Sequence, residues 1–183
     1  MNKLVGTVLS VSRSDTHTFS KQCVAVISIL AGFGVEGDAH AGEKVKHRYL
    51  ARRNPNAPNR TQVHLLQSEL FAELQTGGIS LQPGEMGENV TTSGLDLLAL
   101  PLGTQLHLGE SAIVQVTGLR TPCFQMDRFR PGLQKACLGR DAQGKNLRKA
   151  GIMGIAITSG IVIPKDQIRV ELPAGDWISL GPV

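Results

Sequence analysis

Aromatic side chains are scarce: they make up 4% of the 183 residues, with a single Trp and a single Tyr. Proteins that hold single-stranded nucleic acid stack its bases on aromatic platforms. No such platform and no recognition-helix motif is visible here, which argues against nucleic acid as the partner. Long apolar runs are missing too. The longest, "CVAVISILAGFGV", falls well short of the roughly 20 residues a membrane span needs, so no membrane partner is expected. The N-terminus turns polar within a few residues and lacks the apolar core of an export signal, so a cytoplasmic location is expected. Cysteine numbers three, an odd count without framework spacing, as suits free thiols in a reducing compartment. No GxSxG elbow is present, so a serine hydrolase has no support. "GRDAQGKN" ends in Asn146 rather than Ser or Thr and follows no strand, so it is no phosphate loop.

What is present fits one ordinary folded domain, 1–183. Apolar residues make up 41% of the chain, mean hydropathy is near zero, and neither an internal repeat nor a linker divides it. Charge is unevenly placed. Residues 43–60 hold six Lys or Arg against one acid, and residues 120–149 hold eight against two. Two solvated loops would account for this. The sharper expectation is that Arg60, Arg120, Arg128 and one of Arg52 or Arg53 gather at one rim and attract an anion.

The pattern reads as short strands with glycine corners. "LVGTVLSVS" (4–12) alternates like a strand, and "CVAVISILA" (23–31) reads as a central strand, apolar on both faces. "TQVHLLQ" leads into "SELFAELQT", where Ser68 is placed to cap a helix with Leu70, Phe71 and Leu74 on one face. "GENVTTSG" is a short strand. "TQLHLG" and "AIVQVTGL" form a hairpin turned at Gly109-Glu110. "PGLQKACL" is a helical turn opened by Pro131, and "IMGIAITSGIVIP" and "QIRVELP" are the last strands. Strands do not alternate with long helices, so a doubly wound sheet is excluded in favour of a mostly β, closed or half-closed barrel with a few short helices.

Three segments carry chemistry. "GFGVEGDAHAG" (32–42) packs four glycines around Glu36, Asp38 and His40. In an extended segment the alternate spacing would put these three side chains on one side. A polar turn explains the same residues, and two metal ligands are too few without a CxxC or HxxxH to complete them. "GEMGENV" (84–90) sets Glu88 and Asn89 between turn glycines. "TGLRTPCFQMD" (117–127) places Cys123 after a proline at the end of a strand, with Arg120 and Arg128 nearby. Cationic neighbours favour the thiolate, which is both nucleophile and soft metal ligand. Cys23 opens an apolar strand and Cys137 follows "LQKA" in a helical turn, so both read as core or inert surface thiols, with Cys23 expected to be shielded.

The blocks "GVEGDAHAG", "QVHLL", "GEMGENVTTSGLDLLALPLGTQLHLGE", "VTGLRTPC" and "GIMGIAITSGIVIPKDQI", taken in this order over 20–172, resemble the MOSC domain. That domain closes molybdenum cofactor sulfurases and stands alone in small bacterial proteins. The resemblance implies a mostly β, barrel-like fold and a bound molybdenum cofactor (molybdopterin). It implies a cysteine at Cys123 acting as catalytic sulfur carrier or molybdenum ligand. It marks Gly34, Gly37, Asp38 and His40, and then Gly87, Glu88 and Asn89, as signature positions. Glu36, Arg60 and Arg120 are then expected to join Gly37, Asp38, His40, Glu88, Asn89 and Cys123 around the anionic pterin. Two activities follow from the resemblance: reduction of N-hydroxylated compounds at molybdenum held by Cys123, or sulfur delivery through a Cys123 persulfide. A sulfur donor or an electron-transfer protein would be the partner. With no aminotransferase-like segment in the chain, no pyridoxal phosphate site of its own is expected.

Overall fold

The first strand, β1 (Val5–Arg13), buries Gly6 and Val8 between exposed Val5, Thr7 and Leu9, the period-two pattern of a strand covered on one face. A bulge between Val8 and Ser10 shifts that phase, so Val11 returns to the interior. The computed structural model describes residues 5–46, 48–140, 144 and 146–183. Residue 4 of the expected first strand, and Asp141 and Lys145 of the second charged segment, lie outside them.

After β1 come β2 (Gln22–Val24), β3 (Ile27–Leu30), β4 (Gly34–Val35), β5 (Val63–Gln67), β6 (Val90–Ser93), β7 (Gln105–Leu108) and β8 (Ala112–Leu119). Then follow β9 (Leu138–Arg140), β10 (Asn146–Arg148), β11 (Ile152–Thr158), β12 (Gly160–Val162) and β13 (Gln167–Glu171). The helices are α1 (Arg48–Arg53), α2 (Glu69–Thr76), α3 (Phe124–Phe129) and α4 (Leu133–Ala136).

Seven strands close into a barrel in the order β1-β13-β7-β8-β11-β5-β6, with β6 returning to β1 and β2 added at β1's far end. Closure removes the free sheet edges that would otherwise pair with other chains. Among the described residues every strand-to-strand pairing is antiparallel except β5 with β6, and α2 makes the crossover that two parallel strands require. The barrel interior holds Val8, Ile29, Leu65, Leu106, Leu108, Val114, Ile152 and Ile168, all at most 1% exposed. Each such side chain contributes roughly 1.5–3 kcal/mol on burial. A second apolar cluster, with Leu66, Leu70, Met86, Met126, Leu133 and Cys137, packs α2, α3 and α4 against the outside of the barrel.

The expected hairpin is β7–β8, with Gly109 in left-handed conformation at its turn. The expected helix after Ser68 is α2, although Ser68 makes no side-chain cap bond. Pro131 does not open its helix: Gly132, left-handed, stands between it and α4. The expected central strand 23–31 is two strands. The chain breaks at Ala25-Val26, both exposed, so β2 extends the barrel sheet while β3 joins a separate three-stranded sheet, β12-β3-β4. Cys23 is therefore exposed, not shielded. It accepts from Ser10 Oγ at 3.3 Å and donates to Pro83 O at 3.3 Å.

Candidate functional site

A continuous row of paired residues runs Leu119–Ile152–Leu65–Val90–Val11–Val24 across β8, β11, β5, β6, β1 and β2. Arg120, His64, Asn89 and Ser12 each lie one residue from this row. The barrel's register thus gathers residues that are far apart in sequence.

Asp38 is the centre of the cluster. β4 ends at Val35 and the chain turns through Gly37, at φ 74°, to bring the Asp38 carboxyl inside. A Cβ on Gly37 would lie 2.7 Å from Arg13 Nη1, which donates to Glu36 O at 3.0 Å. Asp38 Oδ2 accepts from Lys21 Nζ at 2.7 Å, Asn89 Nδ2 at 3.0 Å and Ser14 N at 3.3 Å. Oδ1 accepts from His40 N at 2.9 Å and faces His40 Nδ1 at 3.2 Å. Burial alone would raise this carboxyl's pKa. The His40 hydrogen bonds and the charge and hydrogen bond of Lys21 outweigh it, and hold Asp38 well below the usual carboxylate range. Lys21 is pulled below its ordinary value by burial, which the Asp38 partnership only partly offsets.

Asn89 is equally committed. Its Nδ2 also donates to Ser12 O at 3.2 Å, and its Oδ1 accepts from His64 N at 3.1 Å. His64 is buried, with Nε2 2.8 Å from Ala150 O. Burial, and then the nearby Arg120 charge, push its pKa well below the ordinary imidazole value, so the ring is neutral near pH 7.

Two polar atoms stand apart. Glu88 Oε1 accepts from Gly84 N at 2.7 Å and Thr91 Oγ1 at 2.8 Å, but buried Oε2 has no partner among the described residues. Arg120 lies at the end of β8 over the Phe19 ring at 5.6 Å, and its buried Nη1 likewise has no partner among the described residues. Burial lowers the Arg120 pKa, opposed by the negative potentials of Cys123, Glu88 and Cys137. Unsatisfied buried donors and acceptors are rare in native folds, and each calls for a partner such as water or a ligand.

Cys123 is half-buried and takes the N-cap position of α3 in an extended conformation, behind buried Pro122. Its thiol makes a weak hydrogen bond to Gln125 Oε1 at 3.7 Å. Gln134 Nε2 donates to Pro122 O at 3.3 Å and ties α4 to this turn.

The structure thus brings together Asp38, His40, Glu88, Asn89, Arg120 and the Cys123 turn. It does not put Glu36 beside Asp38: the segment is a turn rather than a strand, and Glu36 is exposed while Asp38 is buried. The Arg60 side chain is exposed, and its backbone oxygen accepts from Thr117 Oγ1 at 2.6 Å. Arg128 is exposed and lies over Phe124 at 4.7 Å. Sequence reasoning missed Lys21 and His64. Lys21 closes a polar loop like any surface lysine, and His64 sits in an apolar strand; their one signal was a polar residue beside a buried run. Among the described residues no group of three or more His, Cys, Asp or Glu is placed to hold a metal ion. Nor is any helix long and apolar enough to cross a membrane.

A closed seven-strand barrel with a buried ion-pair network near a half-buried thiol defines the class of protein. The sequence profile of the MOSC domain matches residues 37–170, and the chain belongs to that family. Among solved structures it is similar to the YuaD protein of Bacillus subtilis, at 26% identity and TM-score 0.72, covering 93% of this chain and 98% of that one. YiiM of Geobacillus stearothermophilus shares the fold at 21% identity and TM-score 0.63, over 94% of this chain and 77% of that one. YiiM of Escherichia coli shares it at 18% identity and TM-score 0.59, over 97% and 73%. No curated protein matches the chain.

Proposed function

We propose that this protein binds a molybdopterin-type cofactor through Cys123 and Arg120, and reduces N-hydroxylated compounds. The supporting observation is the buried Nη1 of Arg120, without a partner among the described residues, three residues before a half-buried thiol. A guanidinium donor takes an anionic oxygen, and a thiolate is the soft ligand molybdenum prefers. The residues therefore fit the group: Cys123 for the metal and Arg120 for an anionic edge. Asp38 and Asn89 take a different part from the one the family motif implies. Their hydrogen-bonding groups are used inside the protein, so they fix the floor rather than read the pterin.

When bound, the metal supplies two-electron redox chemistry at a site that accepts oxygen. Converting an N–OH group to N–H with release of water consumes two electrons and two protons, so an electron-transfer partner is needed. Of the motif side chains in the cluster, the His40 ring reaches the surface: Asp38 Oδ1 faces its Nδ1 at 3.2 Å, and the His40 side chain is 27% exposed.

A second reading rests on the same thiol. With one weak hydrogen bond among the described residues, Cys123 is open to a sulfur donor and suits a persulfide carrier. Expression in a molybdenum-replete, cofactor-competent host separates the two. The proposal expects molybdenum and pterin to copurify with the protein, and reduction of an N-hydroxylated base by a viologen donor to vanish in Cys123→Ser. A metal-free protein that loads sulfane sulfur on Cys123 would favour the carrier.

A further inference from the structure

Away from the Asp38 cluster, a cavity of about 300 Å³ opens between the 3₁₀ turn at Leu97–Ala99, strand β10 and the C-terminal segment. Its walls are fixed by backbone bonds. Leu102 N donates to Ile178 O at 2.8 Å, Leu119 N donates to Gly181 O at 2.7 Å, and Pro101 bridges to Ser179. Leu98, Leu100, Leu119 and Leu180 make an apolar lining, and Trp177, 57% exposed, forms one wall. This is the one tryptophan in the sequence. A large aromatic left half in water beside an apolar cavity offers a face for a planar ring.

The cavity also has a charge. Arg148 lines it, and the Arg148 Nε–H is buried with no hydrogen-bond partner among the described residues. Lys149, the other cation in the lining, is already paired with Glu73. An apolar slot with a cationic side chain in its wall is the usual build of a small-molecule site. The partner a guanidinium takes best is a carboxylate or similar oxyanion.

We infer that this cavity is a second binding site, separate from the Cys123 site, for a small aromatic anion whose ring packs on Trp177 and the leucines and whose oxyanion meets Arg148. None of the cofactor-site residues lines it. The inference therefore stands or falls apart from the proposed reduction.

Trp177 is its own reporter. Its fluorescence should be titrated with 4-nitrobenzoate, which quenches on contact, and with neutral 4-nitrobenzamide, in the parent and in Arg148→Met and Cys123→Ser proteins of matched circular dichroism. The inference expects saturable quenching by the acid, weakened at least tenfold in Arg148→Met and unchanged in Cys123→Ser. The amide should bind weakly and alike in all three. Linear, collisional quenching that is equal for acid and amide would overturn it. So would saturable quenching that ignores Arg148→Met, or that disappears in Cys123→Ser, which would assign the cavity to the cofactor site.

Discussion

Asp38 shows how a single buried side chain can set the behaviour of a site. Its two oxygens accept from Lys21, Asn89, His40 and the Ser14 backbone, and its side chain is fully buried. Removing one partner of a buried ion pair leaves the other charge uncompensated, a loss of about 3–5 kcal/mol. Asp38→Asn should therefore lower stability by about 3 kcal/mol in urea unfolding. Lys21→Met should have a comparable effect, although Lys21 lies in a loop that reads as surface.

The same residues set the pH dependence. His64 is neutral when folded but takes a proton when unfolded, so stability should begin to fall below about pH 6.5. Asp38 keeps its charge when folded while the unfolded chain protonates, so a second loss should begin below about pH 4. On the alkaline side, burial pushes the Cys137 thiol up to about 11. The folded state then holds a proton that the unfolded state releases, and stability should decline as pH rises from about 9 to 11. His64→Gln should flatten the first loss and leave the second, as read from urea midpoints across pH. The thiols should also differ in rate. Limited alkylation followed by peptide mapping should label Cys23 and Cys123, and reach Cys137 only on unfolding, because Cys137 is 0% exposed.

At the scale of elements, the loop around Gly84 joins two parts of the site. Gly84 O accepts from Lys21 N at 2.8 Å and Gly84 N donates to Glu88 at 2.7 Å. Its φ is 85°, and a Cβ would lie 2.4 Å from Lys21 O. Left-handed strain alone is worth about 1–3 kcal/mol. Gly84→Ala should lower stability by at least that much, as a fall in thermal midpoint, and should loosen cofactor retention with no change at Cys123.

Elements whose pattern is local were legible in the sequence. β7–β8 shows a period of two on either side of a turn glycine, and α2 shows its apolar face. The division of 23–31 into β2 and β3 was not legible, because the apolar run continues through the break at Ala25-Val26. The layer a strand joins depends on partners distant in sequence, here β1 for Val24 and β12 for Ile27. α3 was missed because its short run "FQMDRF" has no capping side chain, and Cys123 in the N-cap position makes no side-chain cap bond. In the site, the glycine-bracketed motif pointed to Asp38, Glu88 and Asn89. It did not say which would be consumed by internal partners and which left open, since that depends on Lys21 and His64, brought in by barrel closure.

For the whole molecule, barrel closure gathers Lys21, Asp38, His64 and Asn89 into one hydrogen-bonded network, with Arg120 directly after β8. The central claim is that the Cys123 sulfur is bound to the metal of a molybdopterin cofactor. X-ray absorption at the molybdenum edge tests it most directly, on parent and Cys123→Ser proteins purified from the same cofactor-competent host. The account predicts a cysteinyl sulfur neighbour beyond the dithiolene pair in the parent, replaced by oxygen or lost in the serine protein. Identical sulfur coordination in the two proteins, or no molybdenum in the parent, would contradict it.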